Sequence, residues 1–194
     1  EDKAGWSGFL KHLKERGLKG VQLVISDACL GLSESIGDFF PDAHWQRCTV
    51  HFYRNVFSRV PSTKVREIAA MLKAIHASED RAAADDKARQ VVDKLRGLRL
   101  TRAAELVEAS VHETLAYYAF PEEHWRRIRT NNPLERILRE IKRRTKVVGA
   151  FPDGNSALNL AAARLRHIAG TPWSAKRYLN MQQLKDTEIT NATA

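Results

Sequence analysis

Val21-Gln22-Leu23-Val24-Ile25-Ser26 is a mostly apolar run of strand length, entered through Gly20 and closed by Asp27. Its weak polar alternation fits a strand covered on both faces, the pattern of a parallel sheet. Upstream, Trp6, Phe9, Leu10 and Leu13 share one helical face, and Gly17 stops that helix. Downstream, Ile36, Phe39 and Phe40 predict a second helix, which Pro41 closes. A helix on each side of a buried strand predicts an α/β fold. In open α/β sheets, ligand-binding residues collect at the carboxyl ends of strands. Asp27 occupies such an end, where it either meets a ligand or caps the next helix.

Farther along, Ala43–Val50 is a second, less regular strand candidate, and His51–Val60 reads as a helix with Phe52 and Val56 inward. From Thr63 to Tyr118 the pattern holds no strand signal. It predicts helices over about 64–77, 79–96 and 101–118, with Gly97 separating the last two. Ser156–Ile168 is rich in alanine and leucine and predicts a helix, Gly170-Thr171-Pro172 breaks it, and Trp173–Leu184 predicts a last short one. The expected organisation is α/β and predominantly helical. Residues 1–60 hold the sheet region, with strands near 21–26 and 44–50; residues 61–120 form an all-helical insertion. Residues 121–184 hold the basic helix and the C-terminal helices, and 185–194 a frayed polar tail.

The basic helix follows from Asn131-Asn132-Pro133-Leu134-Glu135-Arg136-Ile137-Leu138-Arg139-Glu140-Ile141-Lys142-Arg143-Arg144-Thr145-Lys146. Asn132 suits the cap and Pro133 the first turn, where its missing N–H has no partner to lose. Leu134, Ile137, Leu138, Ile141, Thr145 and Val148 recur at helical spacing as one apolar stripe. Glu135, Lys142, Lys146 and Arg139 fall along one border of it. That border suits a metal-and-phosphate site. Asn132 and Glu135 also stand three apart, the spacing of a capping box.

Charge strengthens the phosphate reading. The 194 residues carry a formal charge of +9 with pI near 9.8, which points to a polyanionic partner. Between His124 and Lys146 stand nine cations: Arg126, Arg127, Arg129, Arg136, Arg139, Lys142, Arg143, Arg144 and Lys146. Only Glu135 and Glu140 oppose them, so these nine are the candidate nucleic-acid contacts. The chain has no apolar run long enough to span a bilayer, no signal-peptide pattern and only two cysteines, so a reducing cytosol is expected. Cys48-Thr49-Val50-His51 has C-x-x-H spacing, with His44 and Cys29 as further conceivable zinc ligands. A core cysteine with a hydrogen-bonded histidine is the simpler reading of the same residues.

Several blocks appear in order at consistent spacing: Gly17-Leu18-Lys19-Gly20-Val21, Ser26-Asp27-Ala28, Trp45-Gln46-Arg47-Cys48-Thr49-Val50-His51-Phe52 and Arg54-Asn55. They are followed by Phe120-Pro121, His124-Trp125-Arg126, Thr130–Arg136, Glu140–Thr145 and Phe151-Pro152. From about Trp6 to Leu184 the chain resembles the mutator-type transposases of bacterial insertion sequences. The resemblance implies a partial RNase H-like fold with a helical insertion and a DDE triad. In it Asp27 is the second acid and Glu135 the third, and Lys142 is the basic residue two turns beyond that Glu. It implies Mg²⁺ or Mn²⁺ held by Asp27 and Glu135, DNA as partner and substrate, a homo-oligomer, and action at the nucleoid in the bacterial cytoplasm. Cys48 and His51 match a family signature whose role does not follow from the residues.

Two departures accompany the resemblance. The first acid of the triad is expected well upstream of Glu1, so these 194 residues by themselves are expected to be inactive in cleavage. Leu138 stands where the family commonly has Asn, and Cys29 where it commonly has His. The alternatives are a DNA-binding or regulatory remnant that does not cleave, and a helical interaction protein whose basic helix is a solvated face.

Overall fold

The computed structural model describes residues 2–175 and 178–181. It divides into two compact units, one running to Thr130 and the other from Asn131 to Met181. The chain is 71% helix and 4% strand, so the predominance of helix and the α/β start are both present.

The first unit begins with helix α1 (Lys3–Glu15), capped by the Asp2 carboxylate, which accepts from the Gly5 N–H at 2.8 Å. Gly17 ends it with φ of 93°. The Gly17 N–H donates to the Lys14 carbonyl and the Leu18 N–H to the Leu13 carbonyl, the paired bonds of a Schellman turn. Strand β1 (Leu23–Ser26) pairs in parallel with β2 (His44–Arg47), Leu23 opposite His44 and Ser26 opposite Arg47. Helix α2 (Leu30–Phe39) makes the crossover between them. Leu10, Leu32, Ile36 and Phe40 form the buried core of this layer, with Trp6, Val24 and Trp45 packed around it.

Helices α3 (Thr49–Phe57), α4 (Val65–Ile75), α5 (Arg81–Gly97) and α6 (Thr101–Ser110) follow, their core made of Phe52, Val56, Ile68, Leu72, Ile75, Leu95 and Val107, all fully buried. Gly97 is the last residue of α5, and the left-handed residue of the turn that separates α5 from α6 is Arg99, at φ of 60°. The Arg99 and Leu100 N–H groups bond the Arg96 and Leu95 carbonyls, the same Schellman pattern as at Gly17.

The helix expected over 101–118 also stops early, at Ser110, and continues as two 3₁₀ turns, Val111–Thr114 and Ala116–Ala119. The cause is tertiary. Buried Gln46 of β2 donates through Nε2 to the Thr114 carbonyl at 2.8 Å, and its Oε1 accepts from the Tyr117 N–H at 3.0 Å. Next to it, Arg47 pairs with Glu113 at 2.8 Å and lies over the Phe52 ring.

His76 closes the helical core. Its Nε2 lies 2.8 Å from Thr114 Oγ1, and its Nδ1 lies 2.9 Å from the Tyr53 hydroxyl. Burial pushes its pKa down to about 4, from an ordinary 6.5. A histidine depressed in the folded state contributes stability that is fully present above pH 6.5 and is lost as pH falls through 4. The contribution is on the order of 3 kcal/mol. Denaturant titrations at pH 7 and pH 4 are expected to show that loss in the native chain and a smaller one in His76→Gln.

In the second unit, α8 (Asn132–Val148) and α9 (Gly154–Ala169) pack on each other, with the short α10 (Pro172–Ala175) after them. α7 (Glu122–Ile128), the helix before them in sequence, belongs to the first unit. Asp153 caps α9 by accepting from the Ser156 N–H at 2.7 Å. Three expectations change here. Asn131, not Asn132, stands at the cap of α8, and its side chain makes no capping bond. The apolar stripe of α8 is not a core seam: Ile137, Ile141 and Thr145 are half-buried, whereas Leu134, Leu138 and Val148 are exposed. Glu140, on the same helix, pairs with Arg164 of α9. The last helix is not continuous from Trp173 to Leu184, because Tyr178–Asn180 are non-helical. The polar tail expected over 185–194 lies outside the described residues.

Candidate metal and nucleic-acid site

Asp27 directly follows β1, at the carboxyl end of a parallel strand, and is exposed. The strand end is held by its neighbours: Trp45 Nε1 donates to Ser26 Oγ at 2.8 Å, and Ser26 Oγ donates to the Asp27 carbonyl at 2.7 Å. Asp27 Oδ1 accepts from the Ala28 N–H at 2.7 Å. Asp27 does not cap α2; Cys29 holds that position, with no side-chain bond. The carboxylate is therefore presented at the sheet edge on a fixed backbone.

Glu135 sits in the first turn of α8, half-buried, where the N-terminal end of a helix favours negative charge. Asp27 belongs to the first compact unit and Glu135 to the second. Both are carboxylates, the hard oxygen donors that Mg²⁺ and Mn²⁺ take. Among the described residues, no three His, Cys, Asp or Glu side chains converge as a metal cage.

Cys48 is fully buried at the β2–α3 junction, its N–H donating to the Ser26 carbonyl at 2.7 Å. His51 is half-buried in the first turn of α3. Cys29 Sγ accepts from Trp6 Nε1 at 3.1 Å, and the His44 ring meets Phe120 edge-on.

The nine candidate cations divide into three groups. Arg126 and Arg127 are exposed on α7. Arg129 is half-buried and occupied by the fold: its Nη1 donates to the His76 carbonyl at 2.9 Å, and its own carbonyl accepts from the Thr49 N–H at 3.0 Å. Arg136, Arg139, Lys142, Arg143, Arg144 and Lys146 are all exposed on α8.

Within that last group, Glu140 organises two of the six. Arg143 donates to both Glu140 oxygens, at 2.9 and 3.1 Å, and Arg144 Nε lies 3.4 Å away. Arg164 of α9 reaches the same carboxylate at 2.5 Å. The Arg143 hydrogen bonds come first among the causes that hold the Glu140 carboxyl down at about 2, well below its usual range. The charge pattern did not include Arg164. Residue 164 is far from the basic run in sequence and joins it only because α8 and α9 fold into one hairpin.

The similarity to known proteins covers these residues. A family model described as the mutator family of transposases matches residues 1–173. The transposase for insertion sequence element IS1081 of Mycobacterium tuberculosis is 39% identical over 184 residues, 95% of this chain and 44% of that protein. The transposase for ISRM5 of Rhizobium meliloti is 36% identical, covering 96% of this chain and 46% of its own length. The transposase for IS256 in transposon Tn4001 of Staphylococcus aureus is 32% identical, covering 94% and 47%. The chain thus spans a little under half the length of these curated relatives. No helix among the described residues is long and apolar enough to cross a membrane. With its Asp27, Glu135 and cation-rich α8 all inside the matched region, the chain belongs to the mutator family of transposases.

Proposed function

We propose that these residues are part of a DDE transposase that cuts and joins DNA at the ends of an insertion sequence. The observation that carries this reading is Asp27, an exposed carboxylate on a fixed backbone at the carboxyl end of a parallel strand, in a chain of this family. The two-stranded parallel sheet with its helical crossover fits part of an RNase H-like fold, in which α4–α6 are the helical insertion.

In this reading Asp27 and Glu135 hold divalent cations, Mg²⁺ or Mn²⁺, which when bound supply neutralisation of the charge developing on the transferred phosphoryl group. The chain's own side chains do the rest. Asp27 and Glu135 contribute the negative oxygens, and the cations of α8, with Arg126 and Arg127 of α7, bind the DNA backbone. Arg129 donates to the His76 carbonyl from Nη1, which fixes the end of α7, and it stays among the proposed DNA contacts through its other donors. The whole protein acts as a homo-oligomer on DNA in the bacterial nucleoid. Cleavage is expected from the parent protein that carries all three acids, and none from these 194 residues.

A plasmid-nicking assay in Mg²⁺ tests this. The parent is expected to nick and the 194-residue chain to bind without nicking. Nicking by the chain that Asp27→Asn removes would show a site completed from within. Duplex binding by a parent that never nicks would favour the DNA-binding remnant, which the exposed cations of α8 also fit.

The phosphate contacts have their own test. Lys142 and Lys146 stand one turn apart on exposed α8. Replacing both by Ala is expected to weaken binding to every duplex sequence and flatten the salt slope by about 0.9 for each phosphate that the chain no longer neutralises. A changed sequence preference with an unchanged slope would mean base readout instead.

A further inference from the structure

We propose that the cleft between α8 and α9 binds one unpaired nucleotide of a DNA strand, its phosphate on the arginine rim and its base against Trp173. This rests on the DNA-strand reading above and names what this part of the chain recognises.

The cleft lies wholly within the second unit and measures about 410 Å³. That falls in the range of single small-molecule sites. Its walls are of two kinds. Arg136, Arg139 and Arg143 of α8 and Arg164 of α9 supply cations, while Ile137 and half-buried Trp173 supply apolar surface. A ligand that fits both must be anionic at one end and flat and apolar at the other. A nucleotide has that chemistry, and an aromatic face beside a cationic groove is how single strands are held. The phosphates of a paired duplex need no aromatic wall and are served by cations on the open face of a helix.

Glu140 in the cleft does not oppose this assignment. Four guanidinium groups face one carboxylate, and that carboxylate is already paired with Arg143 and Arg164. It fixes those two cations in place, and each planar guanidinium has five N–H donors, more than Glu140 accepts. Arg164 is itself largely buried, its side chain 22% exposed, so its guanidinium is held at the cleft wall beside Glu140. Extruding a base from a duplex costs least where the base is already unpaired. The preferred ligand is therefore a strand distortion or a frayed end.

Fluorescence anisotropy with the 194-residue chain tests the proposal on two labelled duplexes of equal length, one fully paired and one with a single bulged nucleotide. The bulged duplex is expected to bind about tenfold more tightly, the equivalent of one base–aromatic stack. Trp173→Ala is expected to erase that preference, and Trp173→Phe, which keeps an aromatic face, to retain most of it. Circular dichroism of each variant verifies that the helices persist. Equal affinity for the two duplexes, or a preference that survives Trp173→Ala, overturns the pocket while leaving the transposase reading standing. Binding to no DNA at all overturns both. Deoxyadenosine monophosphate and inorganic phosphate, each added as competitor, separate the sources of the anion. Displacement of the bulged duplex by either at micromolar concentration shows a pocket for free anions and overturns the assignment to a strand.

Discussion

Asp27→Asn and Glu135→Gln, each introduced into the parent transposase, are expected to reduce Mg²⁺-dependent strand cleavage by at least about 10³-fold, several kcal/mol of barrier. Both changes keep the size and shape of the side chain and remove its negative charge. Asp27 is exposed, and its backbone is held by Ser26 and Trp45, so the amide is not expected to disturb the sheet. Duplex binding is expected to persist in both variants, because the basic residues of α7 and α8 are untouched. Strand cleavage measured beside duplex affinity separates the outcomes. Cleavage retained in either variant removes that residue from the catalytic assignment, whereas loss of binding along with cleavage points to a folding defect.

The second large effect lies in the fold. Gln46→Leu is expected to destabilise the chain by about 4 kcal/mol, since it removes a buried side chain that makes three hydrogen bonds. The Arg47 and Thr114 carbonyls and the Tyr117 N–H would each lose this partner while remaining away from water. For a chain of this length, that loss corresponds to a fall in Tm on the order of 10 °C. Gln46→Glu keeps an acceptor for the Tyr117 N–H but no donor for the two carbonyls, and is expected to lose about as much. Thermal and denaturant unfolding of the three proteins decide the matter. A loss below about 1 kcal/mol in Gln46→Leu would mean that apolar burial, not this side chain, docks β2 onto the 3₁₀ turns.

These expectations differ in how far the sequence alone reaches. The strand at Leu23–Ser26, its following acid and the stop at Gly17 are legible in a short window. Apolar content and a glycine free to take positive φ are local properties of those residues. The family is legible for the same reason, since its motifs are short blocks at regular spacing, and the match over residues 1–173 agrees with them. Gly97 shows where local reading stops: glycine permits the left-handed conformation of a helix-ending turn, but the chain places it two residues later, at Arg99. The segment 111–119 has helical periodicity, yet Gln46, some 70 residues away, takes its backbone groups and turns it into 3₁₀. The cleft of the second unit was equally hidden. Charge density marks α8 as basic from sequence, but Arg164 and Trp173 meet its arginines only once α8, α9 and α10 have packed. Local preference and motif spacing thus determine which elements form and which family they belong to. Tertiary structure decides where helices end and which distant side chains share a site, because those outcomes depend on partners that no sequence window contains.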